Sequence, residues 1–138
     1  MSKITVFTNG CFDILHRGHL ELFKYAKSLG DEFIVGIDSD DKVKLDKGLS
    51  RPYNKLEDRI EMLEALRYVD KVCTFSNTLG LEMLVKEISP DIMIIGSDWR
   101  GKKVIGEQYA KELKFFERIN GYSTTQILEN SSDRRFVH

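Results

Sequence analysis

Short runs of apolar and β-branched residues alternate with segments of helical periodicity along most of this chain. The runs EFIVGID and DIMIIG have continuous apolar centres, which is typical of strands with both sheet faces covered. Strands that alternate with helices favour a parallel sheet with right-handed crossovers. We therefore predict an α/β fold, a Rossmann-like open parallel sheet of about five strands with helices on both faces. The predicted strands cover residues 3–8, 32–38, 69–75, 91–96 and 113–118, and the predicted helices cover residues 18–29, 56–66 and 79–88, with a short one from about Ser123.

The length and charge of the chain limit the class of protein to which it can belong. The 138 residues suit one domain, which we place at residues 1–130, with residues 131–138 as a flexible tail. A formal net charge of -1 provides no global field for nucleic acid or an anionic membrane, so we expect neither as a partner. No apolar run approaches the roughly 18 residues of a membrane span, and the start MSKITVF is too short for a signal peptide. Cys11 and Cys73 form no CxxC pair, so we predict reduced thiols in a cytoplasmic protein.

The segment TNGCFDILHRGH leaves the first predicted strand at the edge where open α/β sheets bind their ligands. Gly10 permits close backbone approach, and Gly18 lets the chain enter a helix whose N-terminus offers unpaired N–H groups. His16 and His19 can both face an anion there and donate hydrogen bonds to it, which predicts a phosphate site. The alternatives are zinc, histidines without function and a dinucleotide loop. They are weaker, because HxxH lacks further ligands and the segment lacks G-x-G-x-x-G spacing.

Four segments, in order, resemble the conserved blocks of one family. GCFDILHRGH resembles the HxGH signature of the cytidylyltransferase-like nucleotidyltransferases. RPYNKLEDRIEMLEALRYVDKV resembles the second block, and IIGSDWRGK and RINGYSTTQI resemble the third and fourth. The resemblance covers nearly the whole chain and implies the HxGH nucleotidyltransferase fold. It implies that an acceptor phosphate attacks the α-phosphorus of a nucleoside triphosphate and expels pyrophosphate, with Mg²⁺ bound mainly through the triphosphate, in a homodimer.

The resemblance also assigns roles to residues of this chain. The implied catalytic residues are His16, His19, Lys47 and Arg118. The implied nucleotide-binding residues are Thr8, Asn9, Gly10, Cys11, Phe12, His16, Gly18, His19, Asp98, Arg118, Ser123, Thr124 and Thr125. The implied acceptor-binding residues are Asp13, Lys44, Arg59, Arg67 and Trp99, and no residue is assigned as a metal ligand.

The basic residues between positions 39 and 67 have two interpretations. We interpret residues 39–54 as a mobile polar loop and residues 56–66 as an amphipathic helix on which Arg59 and Arg67 share roughly one face. Solvated surface cations are the plain interpretation. A crevice that holds a triphosphate and a phosphorylated acceptor needs such cations to neutralise charge. Asp13 either orients the loop or helps to hold Mg²⁺, and the sequence leaves both roles open.

Two later segments complete the predicted site. Asp98 follows a buried strand, so its carboxylate emerges at the carboxyl edge and can accept from ribose hydroxyls or a base amine. Trp99 can pack on a sugar, on the acceptor or in the core. The hydroxyls of residues 123–125 can cap a helix and, by resemblance, cradle a second phosphate.

Two branches of the family fit the chain. SDWRGK, ALRYVDKV and Arg118 resemble glycerol-3-phosphate cytidylyltransferases, whereas FTNGCFDILH, KGLSRP and VIGEQYA resemble heptose-1-phosphate adenylyltransferases. We predict transfer of CMP from CTP to a small phosphorylated acceptor such as glycerol 3-phosphate. The alternative is adenylyl transfer from ATP to a heptose 1-phosphate, since Ser97-Asp98 replaces the paired acids of the glycerol phosphate enzymes. A second alternative is a nucleotide-binding module without catalysis.

Overall fold

The computed structural model describes residues 3–117, which form a five-stranded sheet and four α-helices. The strands are β1 (Thr5–Gly10), β2 (Glu32–Asp38), β3 (Lys71–Phe75), β4 (Ile92–Gly96) and β5 (Glu112–Phe116). The helices are α1 (Arg17–Ser28), α2 (Asp40–Lys47), α3 (Leu56–Glu64) and α4 (Thr78–Ile88), with 3-10 turns at Ser97–Trp99 and Glu107–Tyr109. The helix predicted from Ser123 lies outside the described residues. Within residues 3–117, every helix is too short or too polar to cross a bilayer.

The strands are all parallel and lie in the order β3-β2-β1-β4-β5. The chain moves outward from β1 through β2 to β3, then crosses to the other side of β1 to form β4 and β5. The direction of winding therefore reverses between β1 and β4, which opens a crevice at the carboxyl ends of these strands. Gly10 pairs with Ile37, so β1 and β2 reach this edge together. The structure thus confirms the predicted α/β fold with a five-stranded parallel sheet.

Helices cover both faces of the sheet, because successive residues of each strand point to opposite sides. On one face, a buried cluster joins Val6 of β1 to Phe23 of α1 and Leu63 of α3. On the other face, a second cluster joins Phe7 of β1 to Val85 of α4. All five of these side chains are fully buried. Their burial, at about 25 cal/mol per Å² of apolar surface, holds the helices against the sheet and so positions the loops at its carboxyl edge.

The interpretation of residues 39–54 as one mobile loop is wrong in its first half, where the structure has helix α2. Ser39 caps this helix by accepting a hydrogen bond from the backbone N–H of Lys42 at 3.2 Å. Asp40 in the first turn is favourable near the positive end of the helix dipole. Val43 is fully buried and anchors the helix to the domain. A single buried side chain produces no apolar stripe, so periodicity does not reveal the helix.

Strand β1 is longer at its carboxyl end than predicted. Asn9 and Gly10, which lie beyond the predicted end at residue 8, are strand residues paired with β2. The chain turns instead at Phe12, whose φ of 49° is left-handed. A Cβ on Gly10 would lie 3.0 Å from the Phe12 ring, so the glycine permits the ring to fold back over the strand end.

Candidate active site

The two histidines form a reciprocal cap at the start of α1. His16 is the N-cap residue, and its Nδ1 accepts from the backbone N–H of Gly18 at 3.1 Å. His19 Nδ1 accepts from the backbone N–H of His16 at 3.2 Å. Because each Nδ1 is an acceptor, each neutral ring carries its proton on Nε2; this tautomer is assigned from the hydrogen bonds. The two rings stack with their centroids 3.8 Å apart.

The environment of His19 keeps the ring neutral. Burial, reinforced by His16 and by the Lys47 ammonium, lowers the pKa of His19 to about 3. The edge of the Phe12 ring packs against His19 with a centroid distance of 5.4 Å. His19 is therefore a neutral hydrogen-bond donor at physiological pH, poised beside a lysine that supplies the positive charge.

A cavity of about 620 Å³ opens at the carboxyl edge of the sheet, within the size range of small-molecule sites. The structure brings five of the predicted residues to its wall: Asn9, Gly10, Cys11, Lys47 and Trp99. Lys47 links this cavity to the histidine pair, since its charge also acts on His19. Lys47 thus lies at the cavity wall and within electrostatic reach of His19, whereas His16, Gly18 and His19 are not among the residues that line the cavity.

Arg59 has a different place from the one predicted. Its side chain is fully buried, and its guanidinium donates to the backbone carbonyls of Cys11 and Asp38 at 2.9 Å and of Asn54 at 3.0 Å. It also pairs with the Asp40 carboxylate at 2.7 Å. A guanidinium committed to four protein oxygens positions the ends of β1 and β2. These contacts give Arg59 a structural role, and its direct contact with the acceptor stays a prediction.

Asp13 is likewise buried and committed to the protein. Its Oδ2 accepts from the backbone N–H of Tyr53 at 2.7 Å and from Arg51 Nε at 3.1 Å, and its Oδ1 accepts from the backbone N–H of Asn54 at 2.7 Å. These contacts match the loop-orienting role that the sequence left open. Contact of Asp13 with the acceptor stays a prediction.

Thr8, Lys44 and Arg67 also lie away from the cavity wall. The Thr8 hydroxyl is buried and donates to the carbonyl of Ile94 at 2.7 Å, which ties β1 to β4. Lys44 is exposed on α2. Arg67 is exposed beyond the end of α3 and donates to the hydroxyl of Tyr68 at 3.1 Å. It comes just before β3, so it is at the amino edge of the sheet, opposite the crevice.

The remaining predicted residues divide into two groups. Asp98 and Trp99 lie in the 3-10 turn after β4, where both are exposed and Trp99 faces the cavity. Phe12 lies beneath the histidines, as part of the core. Arg118, Ser123, Thr124 and Thr125 lie outside the described residues, and their roles stay predictions.

Sequence reasoning missed ten residues at the cavity wall: Asp38, Lys42, Asp46, Phe75, Thr78, Leu81, Ile95, Lys103, Val104 and Ile105. A signal for two of them was present. Asp38 and Phe75 are the last residues of β2 and β3, at the same edge of the sheet that predicted a role for Asp98. Lys42 and Lys103 add positive charge at the crevice.

The described residues do not fit a metal site of the protein's own. Residues 3–117 contain no group of three or more His, Cys, Asp or Glu side chains that could hold an ion. Asp13, the carboxylate considered for this role, is occupied by three donors. Mg²⁺ bound mainly through the triphosphate stays a prediction.

A parallel sheet with a switch point, a paired-histidine cap and a basic crevice define an α/β domain of the nucleotidyltransferase class. Residues 7–130 match the family model described as cytidylyltransferase-like, which covers most of the chain. The chain belongs to the cytidylyltransferase-like family.

Curated relatives are similar over nearly all of this chain. The bifunctional protein HldE of Helicobacter hepaticus is 49% identical over 129 residues, which is 94% of this chain and 26% of the relative. The bifunctional protein HldE of Campylobacter fetus is 47% identical over 126 residues, which is 91% of this chain and 27% of the relative. The chain thus spans about a quarter of the length of these relatives.

Solved structures support the fold. A lipopolysaccharide core biosynthesis protein from Thermoplasma volcanium has a TM-score of 0.71 and 25% identity, covering 86% of this chain and all of that one. A pantoate-beta-alanine ligase from Francisella tularensis has a TM-score of 0.61 over 93% of this chain and 65% of its own. At 18% identity, the ligase is evidence for the fold alone.

Proposed function

We propose that this chain transfers an adenylyl group from ATP to a heptose 1-phosphate, giving an ADP-linked heptose and pyrophosphate. Nucleotidyl transfer follows from family membership. The choice of donor and acceptor rests on the relatives, because the HldE proteins are 42–49% identical and represent the heptose-1-phosphate adenylyltransferase branch. They favour this alternative over the CMP transfer to glycerol 3-phosphate that we predicted first.

The observation that carries the mechanism is the paired-histidine cap. A phosphate oxygen of the acceptor attacks the α-phosphorus of ATP, a new P–O bond forms, and the bond to the β-phosphate bridging oxygen breaks. The acceptor phosphate is already ionised, so no general base is required and positioning dominates. In this proposal, the Nε2–H groups of His16 and His19 donate to oxygens of the α-phosphate as negative charge builds there. Lys47, and Arg118 by resemblance, neutralise the leaving pyrophosphate.

The same proposal places the nucleotide along β1 and β4. Backbone groups of Asn9 and Gly10 approach the phosphates, since Gly10 has no side chain to obstruct them. The indole of Trp99 offers a flat surface for the base or ribose, and Asp98 accepts from a hydroxyl or an amine. Mg²⁺, carried by the triphosphate oxygens, supplies charge neutralisation there. Ser123, Thr124 and Thr125 would cradle a phosphate at the helix predicted after Gly121.

A pyrophosphate-release assay tests this proposal. We expect turnover with ATP and a heptose 1-phosphate to exceed that with CTP and glycerol 3-phosphate by about 100-fold or more in kcat/KM, because a site built on hydrogen bonds to one base leaves buried groups unpaired with another. A higher kcat/KM with CTP would restore the glycerol phosphate assignment. If nucleotide binds but no pair of nucleotide and acceptor is turned over, the result would favour the alternative of a nucleotide-binding module without catalysis.

Assembly and location remain predictions. A homodimer is expected from the family resemblance, and sedimentation that gives about 16 kDa would contradict it. A cytoplasmic location is expected from the use of cysteine.

A further inference from the structure

Asp38 presents a carboxylate with unused hydrogen-bonding capacity at the cavity wall. It is the last residue of β2, and its side chain is only 13% exposed. Within residues 3–117, no donor forms a hydrogen bond with its carboxylate oxygens. The nearest cation is Lys42, whose Nζ lies 3.8 Å from Asp38 Oδ2 and is hydrogen-bonded to Asp46 at 2.6 Å.

Neighbouring carboxylates differ from Asp38 in this respect. Asp13 accepts three hydrogen bonds from the protein, and Asp40 accepts from Arg59 and from the backbone of Leu56. Polar groups that are mostly buried are normally hydrogen-bonded, so an unfilled carboxylate beside a cavity is a place for a ligand donor. Burial also raises the pKa of Asp38, as expected for a carboxylate that lacks donors.

The hydrogen-bonding capacity of Asp38 limits the part of a ligand that fits beside it, because the carboxylates of Asp38 and Asp46 are balanced here by the ammonium groups of Lys42 and Lys47. An ionised carboxylate only accepts hydrogen bonds, so it disfavours a phosphate oxygen, which is also an acceptor, and favours a hydroxyl group, which donates. Phe75 adds a buried aromatic surface next to them, with the Lys42 ammonium 5.9 Å from the ring centroid. Thr78 adds a hydroxyl. A carboxylate beside an apolar surface suits a sugar, which has hydroxyls at its edge and C–H groups on its face.

The position of Asp38 in the sheet distinguishes the acceptor sugar from the ribose of ATP. Asp38 and Phe75 end β2 and β3, whereas Trp99 follows β4 on the other side of β1. The phosphates are expected between these sides, at the end of β1 and the start of α1. With the nucleoside on the Trp99 side, the acceptor occupies the Asp38 side.

We propose that Asp38 determines acceptor specificity by accepting hydrogen bonds from sugar hydroxyls, in a subsite that it forms with Phe75 and Thr78. This inference rests on the proposed function, because it requires a phosphorylated polyol as acceptor.

The test compares Asp38→Ala and Asp38→Asn with Asp41→Asn, a matched control on the exposed side of α2. Pyrophosphate release is followed with the acceptor that the unmodified protein uses best. Loss of hydrogen bonds to a charged group predicts an acceptor KM raised by about 10-fold or more in Asp38→Ala, with a smaller rise in Asp38→Asn. The KM for ATP should change by less than about 2-fold, and Asp41→Asn should match the unmodified protein.

Deoxy analogues of the acceptor separate direct contact from a general structural effect. Removal of the hydroxyl that Asp38 binds should raise the acceptor KM of the unmodified protein by about 10-fold. The same removal should hardly change the acceptor KM of Asp38→Ala, which has already lost the contact. An unchanged acceptor KM in both Asp38 variants would overturn the inference. The inference would also be overturned if the Asp38 variants had a raised KM for ATP and the unmodified protein lost turnover with 2′- or 3′-deoxy ATP. Those results would show that Asp38 binds the ribose of ATP. If the unmodified protein turns over no phosphorylated polyol, the proposed function itself is wrong. If it does turn one over and the acceptor KM is the same in the Asp38 variants, only this inference is wrong.

Discussion

At the scale of single residues, the histidine pair explains why a chain with three histidines places two of them around Gly18. Each ring uses Nδ1 to cap the backbone of α1, which orients the ring and assigns Nε2 as the donor. The same contacts therefore begin the helix and prepare two donors for a phosphate. A lysine or arginine at either position would supply charge without this backbone-fixed orientation.

Replacing either histidine by alanine should lower turnover by about 100-fold or more, because loss of one transition-state donor costs about 3 kcal/mol. His16→Asn is the matched variant, since asparagine is a good N-cap and preserves the start of α1. We expect His16→Asn to unfold at nearly the same temperature as the unmodified protein and yet to lose turnover. Near-normal turnover in His16→Asn and His19→Ala at saturating substrate would contradict the catalytic role.

The low pKa of His19 makes the stability of the fold depend on pH. Its folded pKa of about 3 lies below the ordinary value of 6.5, so the unfolded chain binds the extra proton between these values. The contribution of the neutral His19 ring to the free energy of unfolding is complete above pH 6.5 and is lost as the pH falls towards 3. In an NMR titration, the His19 ring signals should show no midpoint between pH 5 and pH 8. A midpoint near 6.5 would show that the ring is exposed to water and that the cap is open.

The buried guanidinium of Arg59 should matter to stability more than that of any surface arginine. Arg59→Met leaves several buried carbonyls and the Asp40 carboxylate without their donor, so we expect a loss of about 3–5 kcal/mol in the free energy of unfolding. Arg67→Met is the control, because Arg67 is exposed at the opposite edge of the sheet. Urea denaturation measures both variants. Equal, small losses would contradict the structural role of Arg59.

At the scale of elements, α2 positions Lys47 at the cavity. The helix has one fully buried residue, Val43, and depends on the Ser39 cap at its start. Its last turn ends at Gly48, whose φ of 106° suits glycine. A short helix with so few anchors is among the least stable parts of a domain.

Ser39→Ala should open α2 before the rest of the fold. Loss of an N-cap costs about 1 kcal/mol, which corresponds to about a 5-fold rise in amide hydrogen exchange over residues 40–47. Ser50→Ala, in the exposed loop after the helix, is the control. Exchange that rises equally in β1 and β2 would instead indicate global destabilisation. Adding ATP should slow the exchange of α2, because Lys47 then has phosphate partners.

At the scale of the whole molecule, the order of strands and helices apart from α2 was predictable, because β2 and β4 carry continuous apolar runs and helical periodicity separates the strands. EFIVGID corresponds residue for residue to β2. The depth of a charged side chain was not predictable, since helical spacing assigned Arg59 to a face but could not show that this face is buried by the loop at Asn54. The sequence also could not show that the carboxylate of Asp38 accepts no hydrogen bond within residues 3–117. Hydrogen bonds from other elements of the fold decide which aspartates remain available to a ligand.

The site itself was predictable in part. The histidine pair stood out because two histidines around a glycine follow a strand end, and the structure brings them to the start of α1 with Lys47 nearby. The side of the crevice formed by β2 and β3 did not stand out, since its residues come from separate strand ends and share no local motif. Only the sheet order brings them together.

Adenylyl transfer can be followed by ³¹P NMR of the products from ATP, Mg²⁺ and a heptose 1-phosphate. We predict new signals of a diphosphate diester together with free pyrophosphate, since the α-phosphorus is the atom attacked. Signals of ADP and a doubly phosphorylated sugar would contradict adenylyl transfer, because they would show attack at the γ-phosphorus instead.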